Sequence, residues 1–210
     1  MTERFALEST GISERVAAIL ASLPPHVTLA AACKTRTPGE VREAVEAGVT
    51  VLGHNYVQEA ESMVEAVGRP AKWHLIGHLQ RNKAKKAVEL FDVIETVDSV
   101  RLANALERHC AAAGKTVSVL VEVNSGEESN KAGVLPSGVG VLVGHISTLE
   151  HVRVRGLMTM GPMAGDPEEA RPYFQKTKDA FDRLADAGLP NVEMQVLSMG
   201  MSNSYQVAVE

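Results

Sequence analysis

Residues 117–123 read Val117-Ser118-Val119-Leu120-Val121-Glu122-Val123, an almost unbroken apolar run of strand length. Apolar groups on both alternating faces predict a strand buried on two sides by helices. Working outward, aliphatic runs of similar length recur near 28–33, 50–53, 73–76, 92–95, 152–157 and 192–198. Between them lie helical patterns near 38–47, 56–67, 82–90, 99–113, 137–148 and 167–187. An amphipathic helix near 12–23 precedes them all: Ile12, Val16, Ile19, Leu20 and Leu23 share a face, Thr10 or Ser13 is available as its cap, and Pro24-Pro25 end it. The helix at 167–187 puts Ala170, Phe174, Thr177, Phe181 and Leu184 on one stripe, with Gly188 and Pro190 stopping it. Strand and helix alternating seven times predict a parallel α/β sheet with right-handed crossovers, either doubly wound or closed into an eight-stranded barrel. The count favours a barrel lacking one strand. With no linker or composition break, residues 1–210 are expected to form one domain, without a second. A last helix is expected to begin near Ser202 and to be running at Glu210.

At 210 residues and 45% hydrophobic content the chain can bury one sizeable core, which argues against disorder or a fibrous protein. A formal net charge of −5 argues against broad attraction to nucleic acid or anionic lipid, so a small molecule is the expected partner, with no nucleic acid and no membrane. The two cysteines, Cys33 and Cys110, do not suggest a disulfide framework, and Cys33 lies in a strand-like run. Charges at Glu3, Arg4, Glu8, Glu14 and Arg15 break any signal-peptide core, and no apolar run is long enough to span a membrane. The expected location is the cytoplasm.

Lys34 closes the apolar run Leu29-Ala30-Ala31-Ala32-Cys33 and is followed by Thr35-Arg36-Thr37-Pro38. The carboxyl end of a buried strand is where α/β folds place reactive groups, so Lys34 is a candidate Schiff-base amine; the plainer reading is a lysine that snorkels to water. If Lys34 points into the barrel, alternation turns Cys33 toward the helices as a small apolar residue. In Trp73-His74-Leu75-Ile76-Gly77-His78-Leu79-Gln80-Arg81-Asn82-Lys83, two histidines four apart would suit zinc only on a helix, which Gly77 and the strand-like start disfavour. No metal site is expected; those polar groups either bond the loop or face a ligand. Arg81, Lys83, Lys85 and Lys86 read as a solvated helix face more readily than as an anion patch, because cations oppose the dipole at a helix start. Asn124 to Gly133 reads as a polar loop on the active face or as an ordinary turn, and Gly156 to Met163 as packing. Leu197-Ser198-Met199-Gly200-Met201-Ser202 ends the last strand before a helix, where amides around a glycine can hold a phosphate or Ser202 can simply cap. An amine and a phosphate cradle on one face fit pyridoxal 5'-phosphate.

Taken together, Ala32-Cys33-Lys34-Thr35, Gly53-His54-Asn55-Tyr56-Val57-Gln58-Glu59-Ala60, Trp73 to Lys83, Val121 to Gly133, Gly156-Leu157-Met158 and Leu197 to Ser202 resemble the pyridoxal phosphate homeostasis proteins, the YggS/PROSC family. The resemblance runs from about Leu29 to Ser202. It implies a single-domain (β/α)8 TIM barrel of the alanine-racemase type that binds pyridoxal 5'-phosphate as an aldimine on Lys34. It further implies intracellular cofactor homeostasis without efficient turnover and no catalytic residues. Apo forms of enzymes that use the cofactor are the implied protein partners, and the protein itself is expected to be a monomer or weak homodimer. Asn55 matches the family's asparagine near the cofactor, and Ser198, Met199, Gly200 and Ser202 match its phosphate-side loop; His74 is placed near the site because it alternates into the barrel with Ile76. Arg36 is near enough in sequence to influence Lys34. The rival reading is an amino-acid racemase or lyase on the same barrel, which needs an acid–base group on each cofactor face; Tyr56, Tyr173 and Tyr205 are not obviously placed for that. Three positions depart from the family: Cys33 for serine, His54 for glutamate, which is expected to alter charge near the cofactor, and Asn203 for aspartate. The family also continues into a strand with an Arg-x-Gly motif. The expectation here is an open barrel with unpaired edges on its first and seventh strands, from a fragment or from a variant that binds the cofactor weakly.

Overall fold

Strand β5, Val117–Val123, uses both of its apolar faces. Val117, Val119, Val121 and Val123 join the main core under the helices, while Ser118, Leu120 and Glu122 take the opposite face. The structure, a computed structural model, describes residues 11–162 and 165–210; Thr10, the charges before it and Met163 lie outside the described residues. Its other strands are β1 Ala30–Ala32, β2 Val51–His54, β3 Lys72–Leu75, β4 Val93–Val97, β6 Val152–Thr159 and β7 Val192–Ser198. All pair in parallel in chain order, β1 to β7, so each crossover returns to the neighbouring strand and the sheet curls into most of a barrel. Among the described residues nothing pairs β7 with β1. Ala30 and Ala32 are exposed, and Val196 on β7 is 42% exposed, as expected beside an open seam.

The helices are α1 Ile12–Ser22, α2 Pro38–Glu46, α3 Val57–Val67, α4 Ala84–Leu90, α5 Val100–Ala113, α6 Val139–Ile146, α7 Arg171–Ala185 and α8 Tyr205–Val209. Among the described residues no helix is long and apolar enough to cross a membrane. Local chemistry sets their starts. Thr37 and Glu40 form a capping box at α2, with Pro38 in its first turn, and Ser99 Oγ accepts from the Leu102 amide at 3.3 Å to open α5. Gly114, at φ 59°, closes α5. For α1 the N-cap is Gly11, and the cap comes from another element: Glu43 Oε1 on α2 accepts from both the amide and the hydroxyl of Ser13 at 3.0 Å. Each Val or Leu of the core gains about 1.5–3 kcal/mol by burial. Truncating fully buried Leu106 on α5 to alanine would cost about 2–5 kcal/mol.

Several boundaries differ from the sequence expectation by a few residues, and three of them lie near the rim. The first strand is shorter at both ends, and at its carboxyl end the Arg36 amide donates to Cys33 O at 3.0 Å, turning the chain. The fourth helix opens with a 3-10 turn over Arg81–Lys83. The final helix begins at Tyr205 instead of near Ser202, because the Met201–Ser204 segment closes a turn of its own. In it Ser204 N donates to Met201 O at 2.8 Å and Ser204 Oγ accepts from Met201 N at 3.1 Å. Ser202 is exposed and is not the cap; Ser204 is buried in its place.

Candidate functional site

Parallel strands bring all their carboxyl ends to one rim. Lys34 stands there, two residues past β1, in the turn from Cys33 to Arg36. Thr35, at φ 63°, holds the left-handed conformation that a β-branched residue rarely adopts, so the backbone beside Lys34 is strained. Lys34 is exposed, and its amine has no hydrogen bond or ion pair among the described residues. Arg36 does not engage it: its guanidinium binds Glu40 at 3.1 Å on α2. Cys33 is 6% exposed, and burial pushes its thiol up to about 11, so it is an inert packing residue, in agreement with strand alternation.

Asn55 follows β2 on the same rim, half-buried, with no hydrogen bond from its side chain among the described residues. Its backbone lies against Gly77, where an added Cβ would come within 2.3 Å of Asn55 O, so only glycine lets the β3 loop close on it. Thr96 Oγ1 donates to Gly77 O at 2.7 Å and fixes that loop to β4. A cleft of about 370 Å³ opens here, walled by Asn55, Tyr56, Gly77, Gln80 and Lys83 among others. Its walls do not include Lys34, His74 or Ser198.

His74 faces the barrel interior, again in agreement with alternation. Its Nδ1 lies 2.6 Å from Glu95 Oε1 on β4, and its Nε2 is buried without a partner among the described residues. Ser198, the last residue of β7, donates its hydroxyl to Glu95 Oε2 at 2.5 Å. Past Ser198 the chain passes through Met199 and Gly200, the latter at φ 86° with an added Cβ only 2.9 Å from Tyr205 Cα. Met199 packs with Phe174 on α7 and Val207 on α8, so it anchors the loop by its side chain. The amides of Gly200, Ser202 and Asn203 donate to no group among the described residues. They are free to bind an anion.

His54 is not at this site. It is turned to the helix layer, 1% exposed, stacked on Trp73 with ring centroids 4.8 Å apart, and burial pushes it down to about 4. A neutral imidazole there adds no charge to the rim, which corrects the sequence expectation. The loop from Asn124 is held by its own bonds, among them Asn124 Nδ2 to Glu128 O at 2.8 Å, and by Ser125 Oγ bonded to Thr159 and Thr177. Lys86 is paired with Glu61 at 2.5 Å, in keeping with a solvated face on α4. Two further residues, Glu95 and Glu122, emerge only from the structure. Glu122, in register with Met158 and through it with Ser198, has a fully buried Oε2, and its carboxylate has no hydrogen-bond partner among the described residues. Burial, with Asp98 nearby, raises its carboxyl to about 7. The sequence carries a signal for both: a lone carboxylate interrupting an otherwise apolar strand.

A curled parallel sheet with a free lysine amine after β1 and unpartnered amides after β7 defines the class. The chain belongs to the alanine racemase N-terminal domain family, which matches residues 10–208. Within that class it is similar to the pyridoxal phosphate homeostasis protein of Aquifex aeolicus, at 38% identity over 183 residues, covering 87% of this chain and 79% of the relative. The mouse pyridoxal phosphate homeostasis protein is 36% identical over 229 residues, covering 98% and 80%. The solved structure of PipY from Synechococcus elongatus without PLP superposes with a TM-score of 0.88 at 36% identity, covering 94% of this chain and 93% of that one. PipY with PLP bound gives 0.85 at 34% identity, covering 94% and 92%. The resemblance read from the motifs is borne out, and so is the alanine-racemase type of barrel.

Proposed function

We propose that this chain binds pyridoxal 5'-phosphate and serves its homeostasis, with Lys34 as the covalent anchor and without efficient turnover of a substrate. The observation that carries the reading is the unpartnered Lys34 amine on the same rim as the unpartnered amides of Gly200, Ser202 and Asn203. The cofactor, when bound, supplies an aldehyde with which a primary amine condenses and a phosphate that free amides can hold. Lys34 would bind it, with Asn55 on the same rim and His74 on the barrel face as the further polar groups available to it. Ser198 and Met199 would hold the loop, and the amides of Gly200 and Ser202 would be available to the anion. The relatives named above are homeostasis proteins by name, and PipY has been solved with PLP bound, which supports the cofactor. Cytoplasmic residence and transfer to apo enzymes that use the cofactor belong to the same proposal.

Absorbance titration of the purified protein with pyridoxal 5'-phosphate tests it, alongside Lys34→Ala and an alanine racemization assay. The expected result is a visible band of lysine-bound cofactor that the substitution abolishes, with no racemization. Absence of the band in the native protein would sink the cofactor reading; turnover would favour a racemase or lyase on this barrel.

A further inference from the structure

Two clefts flank His78-Leu79-Gln80, the segment that leads from β3 to α4. The first, of about 370 Å³, is the one walled by Asn55, Tyr56 and Lys83; the second, of about 420 Å³, is walled by Arg81, Asp98, Ser99 and Arg101. They share His78, Leu79 and Gln80 and so form one groove, which meets the candidate cofactor site only at Asn55. Its charge is out of keeping with the chain. The protein has 26 acidic and 21 basic residues, yet three cations, Arg81, Lys83 and Arg101, line the groove against a single carboxylate, Asp98, which already faces His78 Nδ1 at 3.6 Å. None of the three cations makes a hydrogen bond or ion pair among the described residues. Elsewhere acids meet the bases: Lys86 pairs with Glu61, Lys131 with Glu128 and Lys176 with Glu127. Helix stability does not call for cations here either. Arg81 and Lys83 form the 3-10 turn that opens α4, with no acidic residue in the first turn, where positive charge opposes the helix dipole. Apolar surface accompanies the charge: Leu79 is buried in the shared wall, while Tyr56 is 58% exposed beside the first cleft and Val100 38% exposed next to Ser99 of the second. Tyrosine and arginine are the side chains that most often carry binding energy at protein interfaces.

We propose that this groove docks a protein partner through an acidic, extended segment that also carries apolar side chains. Charge complementarity selects the acidic segment. Its length follows from the layout: Lys83 lines one cleft and Arg81 and Arg101 the other, so a small anion in either meets only part of the set, whereas a chain crossing His78-Leu79-Gln80 meets all three. A nucleic acid is disfavoured, since a chain of net charge −5 repels a polyanion of that density. That the partner is an apo enzyme taking the cofactor, brought up beside Asn55, rests on the cofactor reading above; the groove itself does not.

The experiment follows fluorescence anisotropy of the apoprotein with a labelled synthetic peptide of alternating Glu and Leu, with its counterpart of Gln and Leu, and with a labelled single-stranded oligonucleotide, at low and high salt. Absorbance titration with pyridoxal 5'-phosphate runs alongside. The variants are the triple Arg81→Gln/Lys83→Gln/Arg101→Gln and, as a control on the exposed face of α4, Lys85→Gln, each with its melting temperature recorded to show that it is folded. Expected are salt-sensitive binding of the Glu peptide in preference to the Gln peptide, a roughly tenfold loss in the triple variant and none in Lys85→Gln. The cofactor band should be the same in the triple variant as in the native protein. Equal binding of the two peptides, or a triple variant that binds as well as native protein, would overturn the proposal. So would tighter binding of the oligonucleotide, full displacement of the peptide by inorganic phosphate at matched ionic strength, or a cofactor band weakened by the triple substitution, which would put these cations in the cofactor site. If the native protein binds the peptide but gives no cofactor band, the cofactor reading fails alone and the groove stands; a band without peptide binding sinks the groove alone.

Discussion

His54 and His74 sit on adjacent strands and have opposite surroundings. His54 ends β2 on the helix face, stacked on Trp73, with both ring nitrogens buried and unpartnered among the described residues. His74 lies on β3 on the barrel face, tied to Glu95, with one nitrogen left over. The same side chain is thus packing material on one face of the sheet and part of a polar network on the other. Strand alternation alone makes the difference, and it sorts the candidate site residues from the bystanders.

The barrel face should be the more fragile to truncation. Glu95→Ala strands His74 and Ser198 together, and urea denaturation is expected to show a loss of about 3–5 kcal/mol. A loss below about 1 kcal/mol would mean that the network is not holding the barrel. Glu122 sharpens the contrast within that face, since it is buried without a paired cation among the described residues. Its carboxyl, raised from 4.5 to about 7, keeps in the folded state a proton that the unfolded chain has lost. Stability is therefore fully present below about pH 4.5 and falls as pH rises through 7. Glu122→Gln should flatten that fall, gaining about 1–3 kcal/mol at pH 8 and almost nothing at pH 4, as read from denaturation midpoints at the two pH values. Equal gains at both would remove the titration argument.

On the helix face the sign reverses. His54, lowered from 6.5 to about 4, is neutral when folded, so the unfolded chain takes up its proton first as pH falls. Stability is present above pH 6.5 and lost as pH falls through 4. His54→Phe keeps a ring against Trp73 and removes two orphaned nitrogens; a gain of about 1–2 kcal/mol near pH 4, shrinking toward pH 8, is the expected outcome. Thermal melts across that range check it, and the fluorescence of Trp73, the chain's one tryptophan, reports whether the stack persists. Destabilisation at every pH would show that the imidazole has an unseen polar partner.

All seven strands fall where the aliphatic runs place them, because period-two burial and turn residues are local properties. The lysine at a strand end and the glycine loop after the last strand are legible for the same reason. The start of the last helix is not, because serines at 202 and 204 look alike in sequence, and only the turn from Met201 selects Ser204. The face of His54 is not legible either, since a motif match carries position but not side-chain direction. Glu95 and Glu122 are visible as charges inside apolar strands, but a charge of that kind does not name its partners.

By itself, the sequence determined the succession of strands and helices, the parallel sheet and the place of Lys34, since each follows from hydrophobic periodicity and turn chemistry within a few residues. Only the tertiary structure decided that Glu95 would meet His74, 21 residues before it, and Ser198, 103 residues after it. Contacts between strands that are not neighbours depend on how far the sheet curls. That curvature is a collective outcome of twist and helix packing over the whole chain, and no local window contains it.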